Sequence, residues 1–332
     1  MKMHKRTFLA RLCAGIGATA LSFALLPSAH AQALDKVKFG VFPASSALPF
    51  YVAQNKGLFK EAGLDVEEVP MTSHPLTVQA IVAGSIDGAA NLVTLEGANI
   101  ESRRANTLKY ISLNGQNSQY VVEQFVARPD AKISSLKDFK GGIKLFSAPG
   151  PANIGSARAV LKQVGLKEGT DFTIQEQPVG MHLSVLQAGT FAGGYTLEPA
   201  ATMMVSQQVA KRIETGVIAT HLLGRQQGNA FATGAALSDK FIAERPDVAR
   251  RFALAWARAV ELAKTDSSTR GYLIAGMKVP PELAATIPLA NMIMVPELSA
   301  NDQADFQKFL DIGQELGVIK ERMDAKTLLK AY

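Results

Sequence analysis

Two stretches set the chemical question. "FPASSALPF" (42–50) and "SAPGPANIGSARAVL" (147–161) each leave a short extended run, turn through proline and small residues, and open a helix. In an open α/β sheet a ligand sits beyond the carboxyl ends of the strands, so the loops there are the candidate contacts. After the first strand these are Ser45 and Ser46, and after the second Thr72, Ser73 and His74. Asn91 and Thr94 follow "GAAN", and Gln116 and Asn117 follow "YISL". Further along come Ser147, Gly150 and Asn153, then Met181 and His182, then Tyr195, Thr196 and Glu198.

The set is hydroxyls, amides and helix starts, with few charges. Unpaired N–H groups and the helix dipole attract anions at about 0.3–1 kcal/mol per exposed helix start. Several starts aimed at one point could therefore hold an anion without an arginine. "APGPANIG" is expected to be half of such a clamp. A nucleotide cradle is not expected, because the G-x-x-x-x-G-K-[ST] spacing and its lysine are missing. Each position also has a plainer role. Ser45 and Ser46 could cap a helix, His74 could be an exposed residue beside Pro75, and Asn91 could close a turn. His182 could be a satisfied interior histidine, and Glu198 with Pro199 could mark a hinge or a helix start. Ser147 or Asn153 could cap a simple connection.

No local motif proposes catalysis. There is no G-x-S-x-G elbow and no H-E-x-x-H, and of the five histidines only His74, His182 and His221 lie beyond residue 31. The expectation is a binding protein, not an enzyme, with no metal and no cofactor.

The N-terminus bears on compartment. Lys2, Lys5, Arg6 and Arg11 precede an apolar run from Leu12 to Leu26, and "PSAHAQA" follows with small residues at Ala29 and Ala31. This is the order of a cleaved secretory signal over 1–31, cut after Ala31 or, second choice, Ala33. The run is too short and too rich in glycine and alanine for a comfortable membrane span. Removing its four basic residues lowers the formal charge from +6 to +2. That is no nucleic-acid footprint, which needs a clustered basic face. The single cysteine, Cys13, leaves with the signal, so the mature chain has no disulfide and no thiol nucleophile. About 300 residues held by core alone suggest two domains.

The elements that must position the loops alternate. Strands are expected at "VKFGVF" (37–42), Leu64 to Val69, "LKYISL" (108–113), "YVVEQFVA" (120–127), "IKLF" (143–146), "FTIQEQ" (172–177) and near Gly193 to Tyr195, with helices between. In "HPLTVQAIVAG", Leu76, Ile81 and Val82 are expected on the buried side. This βαβ rhythm predicts an α/β fold with mainly parallel sheets. After about residue 238 the chain reads as helical, and Val248, Phe252, Ala255, Trp256, Ala259 and Val260 share one face of its strongest helix. "QAIVAGSIDGAANL" and "VLQAGTFAGGYTLEP" echo each other, each a helix ending in Ala-Gly and then a glycine-bearing strand. The echo predicts two α/β lobes built alike.

With these pieces in order, the chain resembles the periplasmic solute-binding proteins of ABC importers, in the branch that handles nitrate, alkanesulfonates and taurine. The carrying stretches are "ALPFYVAQNKGLFKEAGLDVEEV" (47–69), "QAIVAGSIDGAAN" (79–91), "ISSLKDFKGGIKLFSAPG" (133–150), "LQAGTFAGGYTLEPAA" (186–201) and "RPDVARRFALAWARAVELA". The resemblance implies the two-lobed periplasmic-binding-protein fold of type 2. Lobe one would be 34–122 plus 228–332 and lobe two 123–227, with crossings in "YVVEQFVA" and "GRQQGNAFATG". It implies a monomer in the periplasm that captures a small organic anion, a sulfonate or carboxylate, by hinge closure and presents it to a membrane permease. The second lobe has Ala192 where such proteins often carry an Asp, while Asp87 in the first is kept. The pyrimidine-precursor branch carries a cysteine-rich motif that the mature chain lacks. Alternatives are a secreted enzyme or a sensory receptor built on the same two lobes.

Overall fold

The computed structural model describes residues 33–332. The secretory signal read over 1–31, with Cys13, lies outside them. Among the described residues no helix is long and apolar enough to cross a membrane.

The chain opens with β1 (Asp35–Val41), whose Val37, Phe39 and Val41 are buried while Lys36 and Lys38 face water, the period-2 signature of a strand. It continues through α1 (Leu48–Asn55), α2 (Leu58–Glu61), β2 (Leu64–Pro70), α3 (His74–Val82), β3 (Gly88–Val93), α4 (Thr94–Arg103) and β4 (Leu108–Gln116). The chain then crosses to β5 (Glu123–Ala127), β6 (Ile143–Ser147), α5 (Pro151–Gln163), β7 (Phe172–Glu176), α6 (His182–Gln187), β8 (Gly193–Leu197), α7 (Ala200–Ser206) and β9 (Lys211–Thr215). It returns as β10 (Ala230–Ser238), followed by α8 (Asp239–Glu244), α9 (Pro246–Thr265), α10 (Tyr272–Met277), β11 (Asn291–Met294) and α11 (Ala300–Glu315).

The strands form two sheets, one in the order β11-β4-β10-β3-β1-β2 and the other β7-β6-β8-β5-β9. The two-lobed α/β class is as expected. Parallel pairing is narrower than "mainly parallel" implies. It joins β2, β1 and β3 in one sheet and β7, β6 and β8 in the other. The strand that enters each sheet after a crossing, β5 or β10, runs antiparallel to both neighbours. A chain arriving from the other lobe has no crossover helix to turn it parallel. Asn117 ties the two crossings together. Its Oδ1 accepts from the N–H groups of Gln119 and Tyr120, and its Nδ2 donates to the Gly228 carbonyl at 3.3 Å.

The echoed segments occupy equivalent places. β3 lies between parallel β1 and antiparallel β10, and β8 between parallel β6 and antiparallel β5. Each begins on a glycine for one steric reason. A Cβ on Gly88 would meet the Ala236 carbonyl oxygen at 2.3 Å, and one on Gly193 the Val126 carbonyl oxygen at 2.4 Å. Both clashes are with the backbone of the entering strand. Asp87, just before β3, accepts from the Lys38 N–H at 2.8 Å, a structural use.

The first lobe's core is aromatic. Phe39 meets Phe252 at 4.6 Å between centroids, Phe252 stacks on Phe59 at 5.1 Å, and Trp256 donates through Nε1 to Ser112 Oγ at 3.0 Å. The α9 face read from spacing is buried throughout. Leu76 is a correction, because it is exposed while Ile81 takes the buried position. The chain past residue 238 is also not wholly helical, since β11 closes one edge of the first sheet.

Candidate functional site

A narrow cavity lies between the loops of the two sheets. From the first sheet it is lined by Phe42, Ala44, Ser46, His74, Asn91, Val93 and Gln116, and by Ala232 and Thr233 of the returning strand. From the second come Ala152, Asn153, Ser156, Tyr195 and Leu197. Val122 and Ile218 line it near the crossings, and Phe309 of α11 completes the wall.

Helix starts converge here. Ser46 sits in the short turn Ser45–Ala47 that leads into α1, His74 is the first residue of α3, and Val93 is the residue before α4. Ala152 and Asn153 belong to the first turn of α5, whose Pro151 supplies a preset φ where an N–H would be idle anyway. No lysine or arginine is among the lining residues. A negative charge held here would have no cationic side chain beside it, and the start of α5 already gives its Ala152 N–H to the Glu96 carboxyl.

Asn91 fixes the loop after β1. Its Oδ1 accepts from the Phe42 N–H at 3.1 Å, and its Nδ2 donates to the Phe42 carbonyl at 3.0 Å and Ser46 Oγ at 3.2 Å. His74 packs its ring on Phe42 at 4.2 Å and is fully buried. Burial pushes its pKa down to about 3, so the imidazole is neutral, and its Nδ1 has no partner. Tyr195 reaches Glu123, whose pKa burial raises to about 8. Glu123 accepts from the Ile218 N–H at 3.2 Å.

Six of the residues singled out from sequence thus share one cavity: Ser46, His74, Asn91, Gln116, Asn153 and Tyr195. The other eleven lie outside its lining, and five of them have clear alternative roles. Ser45 donates its backbone N–H to the Glu198 carbonyl at 2.8 Å, a contact between lobes, and its Oγ is buried without a partner. Ser73 caps α3 by accepting from the Leu76 N–H at 3.4 Å. Gly150 precedes α5 at φ 105°, against Pro75 and Glu96 of the first lobe. His182 is an interior histidine, with Nδ1 2.8 Å from Thr196 Oγ1 and Nε2 3.0 Å from the Gln177 carbonyl oxygen. Its pKa falls to about 4, chiefly through burial. Glu198 is fully buried and takes hydrogen bonds from Gln124, Arg212 and the Thr202 N–H.

Ser73→Ala separates capping from binding. The long capping bond places the loss near the low end of N-cap effects, about 0.5 kcal/mol. Thermal unfolding should shift by about 1–2 °C, with solute affinity unchanged. A tenfold loss of affinity in calorimetry would return Ser73 to the site.

Sequence reading missed Ser156, Thr233 and Glu96. Ser156 follows Asn153 by three positions, a spacing that puts both on one face of α5. Thr233 sits on a crossing strand, where no loop signal marks it. Glu96 looks like an ordinary acid in the first turn of α4. Its carboxylate instead reaches the other lobe, where Oε1 accepts from the Ala152 N–H at 3.1 Å.

Residues 44–268 match the family model described as NMT1/THI5 like. No curated protein matches the chain in sequence. Among solved structures, the alkanesulfonate-binding protein SsuA from Xanthomonas axonopodis pv. citri, bound to MOPS, superposes with a TM-score of 0.68 at 16% identity, over 90% of this chain and 98% of that one. The periplasmic nitrate-binding protein NrtA from Synechocystis PCC 6803 gives 0.64 at 14% identity, over 89% and 87%. The desulfurization enzyme DSZB gives 0.65 at 13% identity, over 90% and 96%. At these identities the likeness is one of fold, and that fold carries both binding proteins and an enzyme.

Proposed function

The chain belongs to the NMT1/THI5-like family, and from that premise we propose that it is the solute-binding component of an ABC importer. It takes a small organic acid, a sulfonate or carboxylate, into the cavity between its lobes in the periplasm and presents it to a membrane permease. Lobe one is 34–122 plus 228–332, and lobe two is 123–227. The protein acts as a monomer, without cofactor.

One observation carries this reading. Loops of both sheets line a single cavity in which helix starts meet hydroxyl and amide side chains and no cation. Ser46 and Gln116 offer donors from one side, Asn153 offers one Nδ2 hydrogen beyond its bond to the Pro149 carbonyl from the other, and Phe42, Leu197 and Phe309 suit an apolar body. The likeness in fold to a sulfonate-binding and a nitrate-binding protein agrees with this choice. Closure would be a hinge motion at the two crossings. The guest shifts an open–closed balance because only the closed form gives it contacts from both lobes.

Calorimetry against ethanesulfonate, taurine, benzoate and nitrate, with glucose and lysine as controls, tests this. An organic acid should bind with Kd of about 1 μM, or about −8 kcal/mol. Binding confined to glucose or lysine would overturn the anion reading. Conversion of any of these compounds, seen by mass spectrometry of the same samples, would replace the receptor with an enzyme.

A further inference from the structure

We propose that Glu96 is a positioning residue for the cavity, an internal latch that joins α4 of the first lobe to the start of α5 in the second. The proposal rests on the two-lobed, closing receptor described above, but its test needs no guest. Glu96 Oε1 occupies the α5 N-terminus, the place where sequence reading put half of an anion clamp, and accepts from the Ala152 N–H. Its Oε2 is buried without a partner, and the residue is 7% exposed. Gly150, next to that helix start, is close enough that a Cβ there would sit 3.0 Å from Oε1 and 3.4 Å from Pro75 Cδ. Pro75 follows His74, and Ala152 precedes Asn153, so the latch stands beside two lining residues, one in each lobe. Glu96 itself does not line the cavity. It acts through the position of the start of α5, whose Ala152, Asn153 and Ser156 line the cavity.

A carboxyl buried between two bodies responds to acidity. Burial raises its pKa to about 7, against the lowering pull of the Ala152 N–H, and Glu176 at the end of β7 raises it further. The other groups around it do not reverse this. From α3 the titratable neighbour is His74, neutral through burial, and from β4 it is Tyr110, whose pKa is also raised. β3 and β10 carry no ionisable side chain. The α5 charges, Arg158 and Lys162, lie beyond its first turn, and Arg158 pairs with Glu168. On α11, Asp305 pairs with Arg225, Lys308 donates to the Leu223 carbonyl, and Asp311 lies 3.7 Å from Arg322. Opening the cleft returns Glu96 to water and to an ordinary carboxyl pKa. The shut form therefore binds the proton more tightly and is favoured as pH falls.

Small-angle X-ray scattering of the guest-free protein tests the latch. A closed chain of this size has a radius of gyration of about 19 Å. The wild type should be near that value at pH 5.5 and larger at pH 8.5. Glu96→Gln keeps the acceptor and removes the charge, so it should stay compact at both. Glu96→Ala removes the acceptor and should be expanded at both. A wild-type radius that does not change with pH, or a Glu96→Gln radius that follows the wild type, overturns the proposal. If Glu96→Ala does not fold, the wild-type and Glu96→Gln pair still decides. The guest panel is read separately, so a failed latch and a failed anion reading are told apart.

Discussion

Arg212→Met should lower the unfolding midpoint by about 6–12 °C, with little loss of secondary structure at 25 °C. The cause is the carboxylate that it leaves behind. Glu198 is fully buried where β8 gives way to α7, and it receives Arg212 Nη2 at 2.8 Å, Gln124 Nε2 at 2.8 Å and the Thr202 N–H at 3.1 Å. Arg212 also donates to Gln124 Oε1 and Thr202 Oγ1, so one side chain ties β9, β5 and α7 to the acid. Removing one partner of a buried pair costs about 3–5 kcal/mol, because the remaining charge stays uncompensated. The guanidinium is about one-third exposed, which favours the lower end, about 3 kcal/mol. Each kcal/mol moves the midpoint by about 2–4 °C in a chain of this size. Arg212→Lys, which keeps the charge and loses the fork, should fall between. Scanning calorimetry at pH 7 reads the effect, and a drop below 2 °C would show that the acid needs no counter-charge.

The second large effect is a stability that is nearly level from about pH 5 to 6 and declines on the alkaline side. Glu123 and Glu96 have folded pKa values raised to about 8 and about 7. Their contribution is fully present below the ordinary carboxyl range and is lost as pH rises through those values. His74 and His182 are lowered to about 3 and about 4. They act the opposite way, and their contribution is lost as pH falls below 6.5. Between pH 4.5 and 6.5 the two pairs oppose each other, while above 6.5 only the carboxyls continue to change. From there to pH 8 Glu123 should remove about 2 kcal/mol and Glu96 less than about 1. Urea titrations at pH 6.5 and 8.5 measure the difference. Glu123→Gln should remove most of the decline, and an unchanged slope in that variant would reassign it to other groups.

Much of the fold was legible because period and punctuation agreed. The strand β1 alternates, α9 carries an unbroken apolar face, and the two glycine-led strands repeat one solution to one clash. β9 and β11 were not legible. β9 is half-exposed and mixes charge with its apolar residues, and β11 is four residues long inside a stretch rich in proline and alanine. Leu76 was misplaced because helical spacing names a stripe and cannot say how much of it a neighbour covers.

The candidate site was legible as loops, since the carboxyl ends of strands are set by topology. Which side chains within a loop turn inward was not. Ser46 lines the cavity while Ser45 gives its backbone to Glu198, although the two are adjacent and identical in type. Glu96 was missed because its partner lies in the other lobe, 56 positions along the chain.

On the proposed receptor role, the carboxyl group at the head of α5 bears on the machinery downstream. A shuttle able to fold its jaws on its own side chain can present the same outline whether it is empty or full. A docking platform that sensed outline alone would spend cycles on vacant carriers. Telling the two apart would then depend on local detail at the rim of the gap, or on the acidity of the surrounding fluid, and less on gross shape.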